Sequence, residues 1–334
     1  MESVNLPLVS IIITSFNRQN SIHESIESAL RQDYENFEVI ISDNCSSDNS
    51  DEVIKMYISD KRVKYYRNET NIGMLKNFQK CIYNLASGDY FTIVNSDDFL
   101  LDSSFLSKAV RLTNIYPDLN IVKGRYIRSS VKDNRETQSN FKIINEFYYG
   151  YEWLEDSSKF SFEDIIEIVG WAGIFIKRKP LIQTNSFELP TENIDAFATI
   201  FLLFNGNIAF IDSLVYNYRT LEDRVEYQSN GIDKTYIMML QTVDLLRHGI
   251  IHNDKLLILD RFCKRYELYI IRYFILLIYR NSKKDFSELK KFLLRKYPIS
   301  YREVINTSHW KIYRVVYFFP SIGRLVSETK KVVF

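Results

Sequence analysis

Residues 1–130 alternate between short apolar runs and amphipathic segments. The apolar runs are rich in β-branched residues and predict buried strands at 8–16, 37–44, 63–68 and 90–95. The segments between them repeat apolar residues at helical spacing and predict helices at 20–32, 48–59 and 75–85. Strands that alternate with helices predict an α/β fold, in which a mostly parallel central sheet is flanked by helices.

Two local signals refine the ends of these helices. Ser21 and Glu24 have the spacing of a capping box, in which each side chain bonds the backbone of the other at a helix start. Gly88 follows the third apolar stripe, where a glycine commonly ends a helix. We therefore expect the first helix to begin near Ser21 and the third helix to stop before Gly88.

The later part of the chain is less regular. Residues 162–176 predict a helix that runs into a Gly-Trp turn and a strand. Residues 191–204 predict a second helix, and residues 208–219 predict a strand or hairpin arm. From 233 onward the pattern is helical and basic. We predict a domain at 1–225, with halves at 1–130 and 131–225, and a helical, basic C-terminal extension at 226–334.

Three of the predicted strands end in polar residues, within 14–18, 42–44 and 95–98. In a parallel sheet these ends lie on one edge. Asp, Asn and Ser also cap helices and form turns, which would explain any one of the clusters alone. Three clusters on one edge favour a ligand site, because open α/β sheets bind ligands at the carboxyl ends of their strands.

The last of these clusters holds two adjacent carboxylates, Asp97 and Asp98. Neighbouring carboxylates repel each other, but a divalent cation removes the repulsion and can hold the phosphates of a ligand. We predict a site for Mn²⁺ or Mg²⁺ and a diphosphate, although such pairs also cap helices. The chain has neither a GxGxxG nor a GxxxxGK[ST] motif, so neither dinucleotide oxidoreduction nor P-loop phosphoryl transfer is supported.

Composition and charge are those of a globular protein with a basic end. Of 334 residues, 46% are hydrophobic and 25% charged. The net charge of +1 hides an asymmetry, because residues 271–334 hold 14 Lys and Arg but only 4 Asp and Glu. Basic, aromatic segments such as 310–324 are typical of contact with an anionic membrane surface, and a helical lobe or homo-oligomer contact explains them equally well. No nucleic-acid module accompanies the charge, so no nucleic-acid partner is expected.

Three features bear on localisation. The three cysteines are widely spaced and odd in number, which favours a reducing compartment. The N-terminal sequence lacks the basic and apolar regions of a signal peptide. The uninterrupted apolar run 273–279 is much shorter than the roughly 20 residues of a spanning helix. We predict a cytoplasmic protein, or a peripheral one on the inner face of the cytoplasmic membrane.

Three segments taken together resemble a known family. "VSIIITSFNR", "VIISDNCSSD" and "NIGMLKNFQKCIYNLASGDYFTIVNSDD" occur in the order and spacing of inverting family 2 glycosyltransferases, which have the GT-A, or nucleotide-diphospho-sugar transferase, fold. The resemblance is strong over 6–130 and looser over 165–225. It implies a nucleotide-sugar donor and a divalent metal, Mn²⁺ or Mg²⁺.

The resemblance also implies roles for individual residues of the donor site. Asp43 matches the carboxylate that accepts a hydrogen bond from uracil, and Asp97 and Asp98 match the metal-and-ribose motif, with Asp98 expected to be the more direct metal ligand. The usual pattern has an aspartate where this chain has Asn95. The other positions that match the nucleotide-sugar site are Thr14, Phe16, Asn17, Arg18, Asn44, Ser46, Asn71, Gly73, Lys76, Asn77 and Ser96.

The catalytic base of the family lies in a Glu-Asp pair at a helix start, with a glycine about eleven residues later. Asp195 and Gly206 have this spacing, and Ile194 replaces the Glu. Asp195 is therefore the predicted base and Glu192 the alternative, although a carboxylate in a first helical turn is also favoured by the helix dipole alone. On the acceptor side the matching residues are Gly170 and Trp171; Trp171 is expected to stack on a sugar or to belong to the core.

The family also has a histidine-containing loop after the last strand, and Leu221 stands where we expect that histidine. Arg219 or Arg224 would then replace its positive charge. The implied function is inverting transfer of a sugar, from a UDP-sugar by preference, to a hydroxyl of a glycan or lipid-linked glycan of a capsule, lipopolysaccharide or O-antigen. Two alternatives remain: a sugar nucleotidyltransferase, which should have a glycine-rich loop where this chain has "SFNRQNS", and a non-catalytic binding or assembly subunit.

Overall fold

The computed structural model describes residues 6–116, 118–156, 160–183, 194–220, 239–244, 246, 256–281 and 283–307. The described residues fall into two compact units, one within Met1–Arg224 and Ile251–Ile258 and the other within Val225–Ile250 and Leu259–Phe334. The functional division at residue 225 that the sequence suggests stays a prediction.

One mixed sheet organises the first unit. Its strands, in chain order, are β1 Val9–Ser15, β2 Phe37–Asp43, β3 Val63–Arg67, β4 Tyr90–Asn95, β5 Phe99–Leu100, β6 Leu119–Ser130, β7 Glu136–Gln138, β8 Phe147–Tyr149, β9 Ile174–Lys177 and β10 Asn207–Thr220. The spatial order is β3-β2-β1-β4-β9-β6-β10-β5, with β7 beside β6 and β8 beside β10. The predicted α/β architecture is confirmed, and its parallel part comprises β3-β2-β1-β4 and the pair β6-β10.

The parallel register brings the predicted polar strand ends to one edge. Thr14 of β1 lies between Ser42 of β2 and Asn95 of β4. Strand β9 enters between β4 and β6 in the antiparallel direction, so its first residues lie toward the same edge of β4. The apolar residues of β1 and β2, most of them β-branched, are buried and form the centre of the sheet, where both faces are covered.

The helices of the first unit are α1 Ile22–Leu30, α2 Ser50–Lys55, α3 Met74–Lys80, α4 Phe105–Ile115, α5 Gly150–Asp156, α6 Phe162–Val169, α7 Arg178–Gln183 and α8 Ile194–Phe204. Helix α2 is shorter than the predicted segment 48–59. Helix α3 continues into a π-helical turn, Cys81–Leu85, and ends before Gly88 as predicted. Gly88 is required for a second reason, since a Cβ there would lie 2.6 Å from the carbonyl oxygen of Tyr90.

The predicted capping box at Ser21 and Glu24 is wrong. Ser21 makes no side-chain cap, and its hydroxyl instead donates to the carbonyl of Ser96 over 2.8 Å. The carboxylate of Glu24 accepts a hydrogen bond from Arg219 over 2.7 Å. Both side chains that could cap α1 therefore make long-range contacts at the carboxyl edge of the sheet, where stronger partners are available.

The described residues of the second unit are helical, as the sequence predicts. They include α9 Leu256–Asn281 from Leu259 onward, α10 Lys283–Lys296 and α11 Pro298–Ile305. Phe262 and Tyr266 stack at 5.6 Å between ring centroids and are buried. None of the helices in the described ranges has the length and apolar character to cross a bilayer. The basic, aromatic segment 310–324 lies outside the described residues.

Candidate active site

The loop after β2 is organised by Asp43, whose carboxylate is fully buried. The backbone N–H of Ser46 donates to it over 3.1 Å, the Ser46 hydroxyl also donates to it, and the Arg67 guanidinium lies 3.5 Å away. The Ser46 hydroxyl oxygen in turn accepts from the backbone N–H of Asn17 over 2.8 Å. Asp43 thus joins the loop after β2 to the loop after β1, and its predicted contact with a nucleotide base stays a prediction.

A network of side-chain amides joins the same loop to the segment before α3. Asn44 donates to Asn71 over 2.8 Å and accepts from Asn68 over 2.9 Å. Asn77 is buried and accepts from the Ser42 hydroxyl over 2.7 Å. Amide pairs of this kind fix loop geometry, because each amide both donates and accepts. The predicted residues Asn44, Asn71 and Asn77 are therefore brought together as a scaffold.

Three other predicted donor-site residues leave surface for a ligand. Phe16 follows β1 with 43% of its side chain exposed, which is unusual for a large aromatic residue at the end of a buried strand. Lys76 is exposed in the first turn of α3. Gly73 is exposed with a φ of 85°, a left-handed conformation in which glycine avoids the strain of other residues.

The two adjacent carboxylates have different surroundings. Asp97 faces Arg18, whose Nε lies 3.6 Å from its Oδ2. Asp98 is fully buried and points away, toward β10. The predicted repulsion between them is relieved because each carboxylate has its own positive or hydrogen-bonding partner.

Both oxygens of Asp98 accept hydrogen bonds from protein donors. Its Oδ1 accepts from the backbone N–H of Arg219 over 2.8 Å. Its Oδ2 accepts from the Tyr216 hydroxyl over 2.8 Å and from the Asn95 side-chain amide over 3.0 Å. Burial and the Asp98 charge raise the pKa of Tyr216 well above its usual value, so its proton stays in this bond. Asp98 therefore fastens β10 to the end of β4.

Arg219 lies at the centre of this junction. Its Nε donates to the backbone carbonyl of Asp97, and its Nη1 pairs with Glu24 over 2.7 Å. Its Nη2 is buried and, within the described part of the chain, has no hydrogen-bond partner. A buried guanidinium N–H without an acceptor is costly, and an anionic ligand would satisfy it. Arg219 is predicted from the sequence as a possible source of positive charge, but its ion pair with Glu24 is not predicted.

The side chains can be tested against the implied cation. In the described ranges no group of three or more His, Cys, Asp or Glu residues is arranged to hold a metal. Asp97 fits an oxygen ligand of a hard cation that takes its remaining ligands from a diphosphate and water. Asp98 fits this role less well, because both its oxygens already accept hydrogen bonds. Which of the two is the more direct metal ligand stays a prediction.

The predicted base, Asp195, lies in the first turn of α8. Burial raises the pKa of its carboxyl, and the backbone N–H of Ala196 and the charge of Lys123 oppose this rise. The alternative base, Glu192, lies outside the described residues, as do Leu221 and Arg224. Asp195 is half-buried, and the opposing influences on its pKa are compatible with a carboxylate that takes part in proton transfer.

The acceptor-side residues lie in the turn between α6 and β9. The Trp171 indole N–H donates to the Thr199 hydroxyl of α8 over 3.3 Å, and the indole ring packs edge-on against Phe78 and Phe91. Gly170 ends α6 and its carbonyl accepts from Lys123 over 2.6 Å. The Lys123 contact is absent from the sequence-based prediction, although a lysine inside the apolar run of β6 is itself an unusual signal.

Comparison with known proteins follows the same segments. The family described as glycosyl transferase family 2 matches residues 10–178. The putative colanic acid biosynthesis glycosyl transferase WcaA of Escherichia coli K12 is 40% identical over 97 residues, 28% of this chain and 34% of WcaA. The E. coli UDP-Glc:alpha-D-GlcNAc-diphosphoundecaprenol beta-1,3-glucosyltransferase WfaP is 36% identical over 94 residues, 28% of this chain and 37% of WfaP.

The chain thus spans little more than a third of the length of these two curated relatives. The likeness to a solved structure is more extensive. TarS 1–349 of S. aureus, in complex with UDP-GlcNAc, superposes with a TM-score of 0.64 over 92% of this chain and 91% of TarS 1–349, at 18% identity. This likeness confirms the predicted GT-A fold. The family match covers half of the chain, from the first strand through the start of α7. The chain belongs to glycosyl transferase family 2.

Proposed function

We propose that this protein transfers a sugar from a UDP-sugar to a hydroxyl group of a glycan or lipid-linked glycan, with inversion at the anomeric carbon. The observation that carries the proposal is the meeting of Arg18 with Asp97 at the carboxyl edge of the sheet, with Nε 3.6 Å from Oδ2. These two residues, 79 positions apart in the chain, form a polar centre that would hold a diphosphate and its cation.

The donor site would use three kinds of group. The loop held by Asp43 and Ser46 would receive the uracil ring, and the exposed Phe16 offers an apolar surface beside it. The Nη2 of Arg219, which has no hydrogen-bond partner among the described residues, would donate to an oxygen of the diphosphate. UDP is favoured over other nucleotides by the resemblance at Asp43 and by the UDP-GlcNAc bound to TarS, which has the same fold.

Asp97 would hold Mn²⁺ or Mg²⁺. Such a cation neutralises the negative charge that develops on the departing diphosphate. Asp98 would keep Asp97 in place, because its hydrogen bonds to Tyr216 and Arg219 fix the backbone of the pair. Metal binding then depends on Asp97 directly and on Asp98 through the position of the loop.

Asp195 would act as the general base. It would take the proton of the acceptor hydroxyl while the hydroxyl oxygen attacks the anomeric carbon, and the bond from that carbon to the diphosphate oxygen would break on the opposite face. A pKa raised by burial makes Asp195 a stronger base than an exposed aspartate, provided that it stays ionised at neutral pH. Trp171, in the turn beside α8, would bound the acceptor side.

The acceptor class follows from relatives and from charge. WfaP carries in its name an acceptor linked to diphosphoundecaprenol, and WcaA is assigned to colanic acid biosynthesis. A lipid-linked acceptor would place the protein at a membrane surface, which agrees with the basic residues of 271–334. We propose peripheral association with the inner face of the cytoplasmic membrane, through this C-terminal region or a homo-oligomer formed by it.

Calorimetric titration with UDP, UDP-glucose, UDP-GlcNAc and GDP, each with and without Mn²⁺, tests the donor site. We expect the uridine nucleotides to bind and Mn²⁺ to tighten their binding. Transfer is then followed with undecaprenyl-diphosphate-linked N-acetylhexosamine as acceptor, and the anomeric configuration of the product is read by NMR. Failure of every nucleotide to bind would contradict the enzyme proposal, and binding without transfer to any acceptor would favour a non-catalytic subunit.

A further inference from the structure

The side chain of Lys123 is fully buried in the middle of β6. Its ammonium group donates to the carbonyl of Gly170 over 2.6 Å and to that of Ala172 over 2.7 Å. These are the two carbonyls on either side of Trp171. Lysine is rarely buried without such partners, because removing an ammonium group from water costs several kcal/mol. Lys123 therefore clamps the turn that carries the indole.

The clamped turn lies toward the candidate site. The residue that follows it, Ile174, begins β9, and its carbonyl accepts from the Thr92 hydroxyl of β4 over 2.7 Å. Gly124 N–H donates to the Gly173 carbonyl over 2.8 Å, so the strand of Lys123 also holds the end of the turn. Since β9 runs antiparallel to β4, the turn lies toward the carboxyl end of β4, where Asp97 follows.

The same turn is tied to the helix of the predicted base. The Trp171 indole donates to Thr199, and the Thr199 hydroxyl donates to the Val169 carbonyl over 2.9 Å. Thr199 is four residues after Asp195 in α8, so the two side chains lie on one face of the helix. A shift of the turn would therefore reach both the indole and the first turns of α8.

Lys123 and Asp195 also interact electrostatically. The charges that act on Lys123 are the carboxylates of Glu167 in α6 and Asp195 in α8 and the guanidinium of Arg128 in β6, and the Tyr126 ring lies 5.3 Å from its ammonium. Burial lowers the pKa of Lys123 to about 7 against the effect of the two carboxylates. The positive charge of Lys123 in turn lowers the pKa of Asp195, which burial raises.

We propose that Lys123 is a positioning residue for the transfer reaction: it fixes the Trp171 turn that receives the acceptor sugar and, through the hydrogen bond from Trp171 to Thr199, the helix of Asp195, on which its positive charge also acts. This inference rests on the proposed function and adds to it a residue that does not touch the donor. It predicts that loss of Lys123 harms the acceptor half of the reaction and spares the donor half.

The kinetic test compares Lys123→Met and Lys123→Gln with the intact protein. Lys123→Met removes the donors and the charge, whereas Lys123→Gln keeps amide donors for the carbonyls without the charge. For Lys123→Met we expect the KM for acceptor to rise about 10-fold to 100-fold, with the affinity for UDP unchanged. For both variants the acidic limb of the kcat/KM profile should move to higher pH, because Asp195 loses a neighbouring cation.

A spectroscopic test does not depend on activity. The protein has three tryptophans, and a titration from pH 6 to 9 follows their fluorescence in the intact protein, in Lys123→Met and in Trp171→Phe. We expect a step with a midpoint near 7 in the intact protein that is absent from both variants. Lys108→Met, which removes a half-buried lysine of α4 that pairs with Asp102 and has no contact with the Trp171 turn in the described residues, is the matched control and should keep the step.

The outcomes separate this inference from the proposed function. A step that persists in Lys123→Met would overturn the clamp, and so would equal losses of donor and acceptor affinity in that variant. If no nucleotide binds the intact protein but the step follows Lys123 and Trp171, the proposed function fails while the clamp stands. If UDP binds and sugar is transferred but the acidic limb is the same in all variants, the charge of Lys123 does not act on Asp195, and that part of the inference is wrong.

Discussion

The side-chain amide of Asn95 donates a hydrogen bond to Oδ2 of Asp98 over 3.0 Å. The family pattern has an aspartate at this position, and the sequence alone shows only a lost negative charge. In the structure the amide is one of three donors to a fully buried carboxylate, together with the Tyr216 hydroxyl and the Arg219 N–H. An asparagine at position 95 therefore supplies a hydrogen-bond donor that the buried Asp98 carboxylate uses, and its presence in place of aspartate is not in itself a sign of lost function.

Asn95→Asp should destabilise the protein at neutral pH. The new carboxylate would face that of Asp98 at hydrogen-bonding distance, and the pair would retain a proton at a pH where both are ionised in the unfolded chain. The folded protein then binds more protons than the unfolded one, so the free energy of unfolding falls as pH rises through this window. We expect a loss of about 2 kcal/mol at pH 8, with recovery toward pH 5.

Urea unfolding at pH 5 and pH 8 measures this effect. Asn134→Asp is a suitable control, because Asn134 is exposed and its φ of 52° is one that aspartate also tolerates. The control should unfold like the intact protein at both pH values. Equal stability of Asn95→Asp at pH 5 and pH 8 would contradict the assigned hydrogen bond.

Asp97→Asn and Asp98→Asn should differ in what they damage. Asp98→Asn places an amide N–H₂ among three donors, so we expect the free energy of unfolding to fall by about 2–4 kcal/mol. Asp97→Asn removes the proposed cation ligand, so we expect the tightening of UDP binding by Mn²⁺ to disappear with a smaller loss of stability. Chemical unfolding and calorimetry with UDP, with and without Mn²⁺, measure the two effects. If Asp98→Asn instead abolishes the effect of Mn²⁺ on UDP binding while Asp97→Asn keeps it, Asp98 is the cation ligand.

The sheet and the shared edge of its polar strand ends could be predicted because they follow from local patterns. The β-branched runs of β1 and β2 can be buried only in the centre of a covered sheet, and parallel pairing then brings Thr14, Ser42 and Asn95 to one edge. The partners within that edge could not be predicted. Glu24 and Ser21 have the spacing of a local cap. In the structure Glu24 instead bonds the guanidinium of Arg219, 195 residues away, and Ser21 bonds the backbone carbonyl of Ser96.

Lys123 shows a second limit of sequence-based prediction. None of the strands predicted from the sequence covers β6, and Lys123 interrupts the apolar run at its start. Its partners are backbone carbonyls at Gly170 and Ala172, which have no sequence signature. The antiparallel strand β9 that positions them is only four residues long and breaks the strand–helix alternation, so neither its place between β4 and β6 nor the clamp could be inferred.

Arg219→Ala should weaken nucleotide binding. It removes the Nη2 donor that has no partner in the described part of the chain, which we propose binds the diphosphate. A charge-assisted hydrogen bond of this kind corresponds to a loss of about 10-fold to 100-fold in affinity for UDP, and a smaller loss for uridine, which lacks the phosphates. Glu24→Gln is the matched control, since it neutralises the partner of Arg219 and keeps the guanidinium. An equal effect of both variants on UDP and uridine would contradict the assignment to the diphosphate.

Asp195→Asn should abolish transfer without weakening the fold or the donor site. Asparagine cannot accept the proton of the acceptor hydroxyl, so we expect kcat to fall by about 10²-fold to 10⁴-fold while UDP binds with unchanged affinity. Because burial raises the pKa of Asp195, the ionised carboxylate is costly to bury, and the variant should be at least as stable as the intact protein at pH 8. A carboxylate that only stabilised the start of α8 through the helix dipole would give the reverse pattern, with lower stability and little change in kcat. Glu192→Gln is the companion variant. If Glu192→Gln keeps full activity while Asp195→Asn loses it, Asp195 is the base. If Asp195→Asn keeps full activity while Glu192→Gln loses it, the base is Glu192.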